Sequence, residues 1–239
     1  MPLPTAAHVL KGRTLVLAGT WSAEFFHFFT ETLGKLYVFL RQSDLSCIDT
    51  IVVDGTSKRF VSEVFSHLGL RERLFQVPSV PLLIEDALLP SYAQHCGWLS
   101  RELDEYLNAT FANVPPRPER KIYLAGRKNR RPVNEGEISE RLRANGFYIL
   151  NPEELSLIDQ ISFFKGAEMI IAPHGGALTN MIFSQRLKLL ELFGHTYVNA
   201  CYSAIARLKS FDYSYFVSEN ALGADYEVPL SVIDDFLAA

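Results

Sequence analysis

The stretch Met169-Ile170-Ile171-Ala172-Pro173-His174-Gly175-Gly176-Ala177-Leu178-Thr179-Asn180 sets the frame for the whole chain. Its first four residues are apolar and read as a buried strand. Pro173 has no N–H to donate, so strand pairing should stop there. A histidine and two glycines follow, and Ala177 to Ser184 reads as the opening of a helix. A strand, a glycine-rich turn and a helix start make a βα unit of an α/β sheet. Such a turn suits an anion, because the first helical amides have no partner within the helix and the macrodipole adds positive potential. Two readings stand at this point. The turn is a phosphate pocket with His174 as an added donor, or it is a tight βα connection with His174 merely exposed.

Outward from this unit the same alternation continues. Downstream, Leu187 to Phe193 is a strand with Glu191 near its carboxyl end. Tyr197 to Lys209 reads as a helix, Phe211 to Val217 as a strand and Pro229 to Leu237 as a helix. Upstream, the strand Lys121 to Ala125 runs into Gly126 and the basic cluster Arg127, Lys128, Arg130 and Arg131. Asn134 and Glu135 then precede a helix over Glu137 to Asn145. The strand Phe147 to Leu150 and the helix Ser156 to Gly166, which carries Gln160, complete this half. In Rossmann-like sheets ligands bind outside the carboxyl ends of the strands. The basic cluster, the His174 turn and Glu191 all fall there. Each has a plainer alternative: a solvated basic loop, a tight turn, an ordinary strand-end carboxylate. Asn134 and Glu135 can simply cap the next helix, and Thr179 and Asn180 can pack within theirs.

The first half follows the same plan. Thr14 to Ala18 is a strand, and Phe25 to Leu40 is a helix that is apolar on nearly every face. Against that background His27 and Glu31 stand four apart, on one helix face. They are a structural hydrogen bond or a pair lining a cleft. Ile48 to Asp54 is a strand, Arg59 to Leu68 a helix closed by Gly69, and Arg73–Val77, Val80–Ile84 and Ala87–Pro90 are three short strands. Leu99 to Phe111 is helical. The Pro-rich, polar stretch Asn113 to Arg120 is the best linker, dividing the chain into halves at 1–114 and 119–239.

The bulk numbers restrict function. The 239 residues are 48% hydrophobic and 21% charged, enough for a globular core, with a net charge of −4. A general nucleic-acid binder would carry a basic surface, so no nucleic-acid partner is expected. Cys47, Cys96 and Cys201 form no zinc spacing, and their odd number suits a reducing compartment. Met1 to Leu10 lacks the basic and apolar regions of a secretory signal. No run reaches the roughly 18 apolar residues of a membrane span. The expectation is a soluble, cytoplasmic protein, compatible with peripheral association at the inner face of a membrane. There is no D-x-D segment and no cluster of metal ligands, so no required metal is expected. The oligomeric state is not fixed by the sequence.

Several of these residues occur together in a known order. Arg127 ends a strand, and Arg131, Asn134 and Glu135 form R-x-x-N-E. Gly146-Phe147 precedes a strand, Gln160 lies on the next helix, and His174 to Asn180 and then Glu191-Leu192 follow. This order and spacing resemble glycosyltransferase family 61, which includes bacterial capsular polysaccharide enzymes and eukaryotic O-linked sugar transferases. Phe25-Phe26-His27-Phe28-Phe29-x-Glu31 is similar to the aromatic-histidine helix of that family. Two departures are visible: the family commonly reads H-G-A-G-L where this chain has His174-Gly175-Gly176-Ala177-Leu178, and it often has proline after the E-L-F-like strand, where Gly194 follows Phe193 here.

The resemblance implies a GT-B-like α/β fold, two Rossmann-like halves facing across a cleft. It implies inverting transfer from a nucleotide sugar, UDP-linked, to a glycan or polysaccharide acceptor, with no other cofactor. The donor would be held by Arg127, Arg131, Asn134, Glu135, His174, Gly175, Gly176, Ala177, Thr179, Asn180 and Glu191, the last accepting from ribose hydroxyls. His27, oriented by Glu31, would be the catalytic base on the acceptor side, with Asp54 in reserve. Two alternatives stay open. One is a non-catalytic relative that binds a nucleotide or sugar. The other is a different Rossmann-like enzyme such as a dehydrogenase, against which the missing G-x-G-x-x-G after the first strand argues.

Overall fold

The computed structural model describes residues 8–93, 98–125 and 129–239. The chain forms two compact units, Met1–Tyr106 and Leu107–Ala239, each with its own parallel sheet. The α/β class is as the sequence implies.

The first unit runs β1 (His8–Val16), α1 (Phe25–His27), a π-helical turn Phe28–Thr32, α2 (Leu33–Leu40), β2 (Thr50–Val53), α3 (Arg59–His67), β3 (Leu74–Gln76), β4 (Leu82–Leu88) and α4 (Arg101–Thr110), inside which the unit boundary falls. Its sheet has the order β3-β2-β1-β4, with every pairing parallel. The strand order therefore reverses between β1 and β4, where open α/β sheets form crevices. The dense apolar pattern of the first helix is explained by burial: Phe28, Phe29, Leu33 and Leu36 are all enclosed, as are Leu15, Ile51, Val53, Val61, Val64 and Phe65. The segments read as strands at Val80–Ile84 and Ala87–Pro90 are one strand, β4. It stays paired to β1 across a register shift between Leu10 and Arg13. Gly12 sits in that shift with φ +78°, a backbone region that favours glycine.

The second unit runs β5 (Lys121–Leu124), α5 (Glu135–Ala144), β6 (Tyr148–Leu150), α6 (Leu157–Gly166), β7 (Met169–Pro173), a 3-10 helix Gly176–Phe183, β8 (Lys188–Gly194), α7 (Cys201–Lys209), β9 (Asp212–Ser218), the hairpin β10 (Ala221–Leu222) and β11 (Asp225–Tyr226), and α8 (Leu230–Ala238). The five-stranded sheet has the order β6-β5-β7-β8-β9, again all parallel. Its reversal lies between β5 and β7. β7 and β8 are buried apolar runs, as central parallel strands should be. Tyr123, Ile138, Leu142, Ile171, Leu190 and Phe236 lie in the core on the α5 and α8 side.

Two local readings are corrected. Pro173 does not stop the strand: it pairs with Leu192. The next residue, His174, donates its N–H to Leu192 O at 2.9 Å, so Pro173 faces the opposite side, where β5 pairing has already ended at Ile171. No donor is required of it there. The helix read from Ala177 is a 3-10 helix, tighter than an α-helix. Asn180 Nδ2 bonds Ala177 O within it, and Thr179 bonds Tyr202 outside it. The Asn180 side chain competes with regular α-helical bonding for the Ala177 carbonyl. The Pro-rich stretch lies along α6. Arg117 N–H donates to Ser162 O, Ser162 Oγ to Pro115 O, and Lys165 Nζ to Val114 O.

Candidate active site

In the second unit the site grows from the carboxyl end of β7. Pairing with β8 sets Ala172 opposite Glu191, which leaves His174 two residues on, just past the strand. His174 Nδ1 and Glu191 Oε1 are 2.5 Å apart. Glu191 has no exposed surface, and its other oxygen accepts the Tyr213 hydroxyl at 2.8 Å. A buried carboxylate is tolerable when its oxygens are bonded in this way. Burial, and then the Glu191 charge, hold the Tyr213 hydroxyl far above the usual tyrosine range, so it remains a donor.

Aromatic side chains fix the His174 ring. Phe193 stacks on it at 5.0 Å, and the rings of Tyr202 and Tyr197 lie 5.2 and 5.4 Å away. Tyr202 donates its hydroxyl to Gly175 O at 2.7 Å, tying the glycine turn to α7. His174, Phe193, Gly194, Thr196, Tyr197 and Arg130 line one concavity.

The other residues singled out by sequence are distributed around it. Gly175, Gly176 and Ala177 form the turn and the start of the 3-10 helix, and Leu178 N–H bonds Gly175 O. Thr179 and Asn180 are fully buried. Thr179 meets Tyr202, and Asn180 donates to Gln160 Oε1. Arg131 pairs with Asp225. Asn134, at the N-cap position of α5, clamps Val228, donating to its carbonyl and accepting from its N–H, and its side chain makes no cap hydrogen bond. Glu135 accepts the Tyr123 hydroxyl. Arg127 and Lys128 lie outside the described residues. The sequence reading missed Tyr213, Tyr202, Tyr197 and Phe193. Phe193 alone had a local signal, two residues beyond Glu191 on the same strand face.

The first unit holds a second cluster. His27 Nδ1 and Glu31 Oε1 are 2.6 Å apart, with the His27 side chain 23% and the Glu31 side chain 9% exposed. The pair spans the π-helical turn, in which Leu33 N–H bonds Phe28 O. Such turns are frequent at functional sites. The rings of Phe26 and Trp21 lie 5.5 and 6.4 Å from His27. Asp54, just beyond β2, accepts Gly19 N–H and the Ser22 hydroxyl at 3.2 and 2.6 Å. Lys35 Nζ donates to Ala18 O at 2.7 Å and sits over the Tyr92 ring. Burial lowers the Lys35 amine, against the opposing charges of Glu31 and Asp54. These groups surround the carboxyl end of β1, where the strand order reverses. Among the described residues no three His, Cys, Asp or Glu side chains gather as a metal site. No helix of the described residues is long and apolar enough to cross a membrane.

Comparison with known proteins adds one finding. The family model described as Glycosyltransferase 61 matches residues 25–188. The match begins at the first residue of α1 and ends at the first residue of β8. It contains both the His27–Glu31 pair and the His174 turn, whereas Glu191, Tyr197, Tyr202 and Tyr213 lie beyond it. No curated protein gives a significant match to the chain.

Proposed function

The chain belongs to glycosyltransferase family 61, and on that premise we propose that it transfers a sugar from a nucleoside diphosphate sugar to a glycan hydroxyl, with inversion at the anomeric carbon. The observation that supports this most is the His174–Glu191 pair at the carboxyl end of β7, within the concavity that Arg130 and Tyr197 also line.

The donor's leaving group is a diphosphate, whose charge rises as the glycosidic bond breaks. A fixed imidazole, a guanidinium and the backbone amides of the Gly175–Ala177 turn are the groups that stabilise such charge. With Nδ1 engaged by Glu191, Nε2 is the His174 nitrogen for the ligand. Both Glu191 oxygens are occupied, so we read Glu191 as the residue that positions His174 rather than as a ribose contact. No metal or further cofactor enters this scheme.

The acceptor hydroxyl must lose its proton as it attacks. His27 is the base in this reading. Glu31 on Nδ1 favours the tautomer with its proton there, which leaves the lone pair on Nε2 to accept. The acceptor oxygen bonds the anomeric carbon, its proton passes to Nε2, and the diphosphate departs with the electron pair of the broken bond. UDP is the donor nucleotide we favour, with a polysaccharide or glycan as acceptor.

Titration calorimetry with UDP, GDP, CDP and NAD tests the donor assignment. UDP should bind, and His174→Ala should weaken it about tenfold or more, the scale of a lost charge-assisted hydrogen bond. Preferential NAD binding would contradict the proposal.

A further inference from the structure

Arg130 and Arg131 are adjacent cations that the fold sends to different partners. Residues 131–133 run beside the β10–β11 hairpin: Tyr226 N–H donates to Arg131 O at 3.1 Å, and Val133 N–H to Tyr226 O at 2.8 Å. Pro132 and Tyr226 form a parallel bridge. The same hairpin supplies the partner for Arg131. Asp225 Oδ1 accepts the Arg131 N–H at 3.1 Å, and Oδ2 lies 3.6 Å from its Nε. The Arg131 charge is therefore answered within the fold.

Arg130 has φ +57°, a region that side chains other than glycine adopt uncommonly. Its guanidinium carbon lies 4.4 Å from the centroid of the Tyr197 ring, and that ring lies 5.4 Å from His174. All three residues line the same concavity. Among the described residues Arg130 has no carboxylate partner. A guanidinium stacked on a ring keeps its N–H edge available, and that edge matches phosphate oxygens in a bidentate fork.

We infer that Arg130, rather than its neighbour Arg131, is the phosphate-contacting guanidinium beside His174, and that Tyr197 is its positioning residue. The inference rests on the donor reading above, and its ligand is the diphosphate of a nucleoside diphosphate. The β10–β11 hairpin sorts the two cations, neutralising one with Asp225 and pairing the backbone so that the other is presented at the site.

Calorimetry with UDP, GDP and CDP, each at low and high salt, tests this. For whichever binds the wild-type chain most tightly, Arg130→Ala should weaken binding about tenfold or more and flatten its salt dependence. Tyr197→Ala should weaken it less, and Tyr197→Phe should restore it. Arg131→Ala should change affinity less than about twofold while lowering the melting temperature. If Arg131→Ala carries the loss and Arg130→Ala does not, the inference is overturned. It is also overturned if Arg130→Ala binds normally while His174→Ala does not, and in that case the donor reading survives. If the wild-type chain binds none of the three, both fail.

Discussion

Glu191 illustrates how far a residue's chemistry depends on what lies across the sheet. Its position near a strand end suggests a ligand contact, yet the structure encloses it completely between His174 and Tyr213. The spacing of His27 and Glu31 is local, four residues along one helix, and their pairing was legible from sequence. Tyr213 was not, because it meets Glu191 diagonally from the neighbouring strand, where β8–β9 register sets Glu191 opposite Tyr215. The sequence reading sets Arg131, through the R-x-x-N-E pattern, among the donor-holding residues and leaves Arg130 out. What separates them is a hairpin about ninety residues away, and nothing in the basic cluster encodes it. The tyrosines give a test of pH dependence. Tyr213 and Tyr123 are both raised above the ordinary tyrosine value, first by burial, then by the charges of Glu191 and Glu135 respectively. The unfolded chain therefore releases these protons first. Their contribution to stability is complete below about pH 10 and declines as pH rises above it. Thermal melts from about pH 8 to 11 should show that decline, and Tyr213→Phe and Tyr123→Phe should each flatten it. An unchanged slope in both single variants and in the double variant would contradict this assignment.

At the scale of elements, periodicity located almost every helix and strand, because each buries an apolar face with its own repeat. It did not distinguish a 3-10 helix from an α-helix at Gly176–Phe183, nor reveal the π-helical turn at Phe28–Thr32. Those depend on one hydrogen bond shifting by a residue, which leaves the apolar pattern nearly unchanged. The Pro-rich stretch makes contacts that its composition does not record. Its prolines and charges suggest a linker, yet its carbonyls cap Ser162 and Lys165 side chains on α6. Gly166 makes that contact possible. A Cβ there would land well inside the Arg117 carbonyl oxygen, and Arg117 N–H is itself bonded to Ser162 O, so the segment cannot retreat freely. Alanine in place of glycine ordinarily stabilises a helix by about 1 kcal/mol. At this position Gly166→Ala should instead destabilise, by about 1–3 kcal/mol as an overpacked core does. Urea denaturation measures it, and a gain in stability would show that the segment does not pack on α6 as described.

For the whole molecule, alternation of strands and helices announced parallel sheets, and both sheets are wholly parallel. The strand orders were not legible, since local sequence does not record which strands are neighbours. Each order reverses once, β1 against β4 and β5 against β7; His174 stands just beyond β7 and bonds Glu191 within β8, and His27 and Glu31 lie on the helical segment that follows β1. His27 and Glu31 belong to one unit, and His174 and Glu191 to the other. Family membership says that the chain is built as a sugar transferase. In the proposed mechanism the two pairs divide the work, donor binding in one and proton removal in the other. That division is the mechanism's central claim. The most direct test measures, for wild type and His27→Ala, both the affinity for UDP and the turnover of a UDP-sugar, read as released UDP. On the proposed division His27→Ala keeps UDP affinity within about twofold and lowers kcat by about 10²–10⁴-fold, the range of a general base. Turnover by His27→Ala at the wild-type rate, or a parallel loss of UDP affinity, would contradict it.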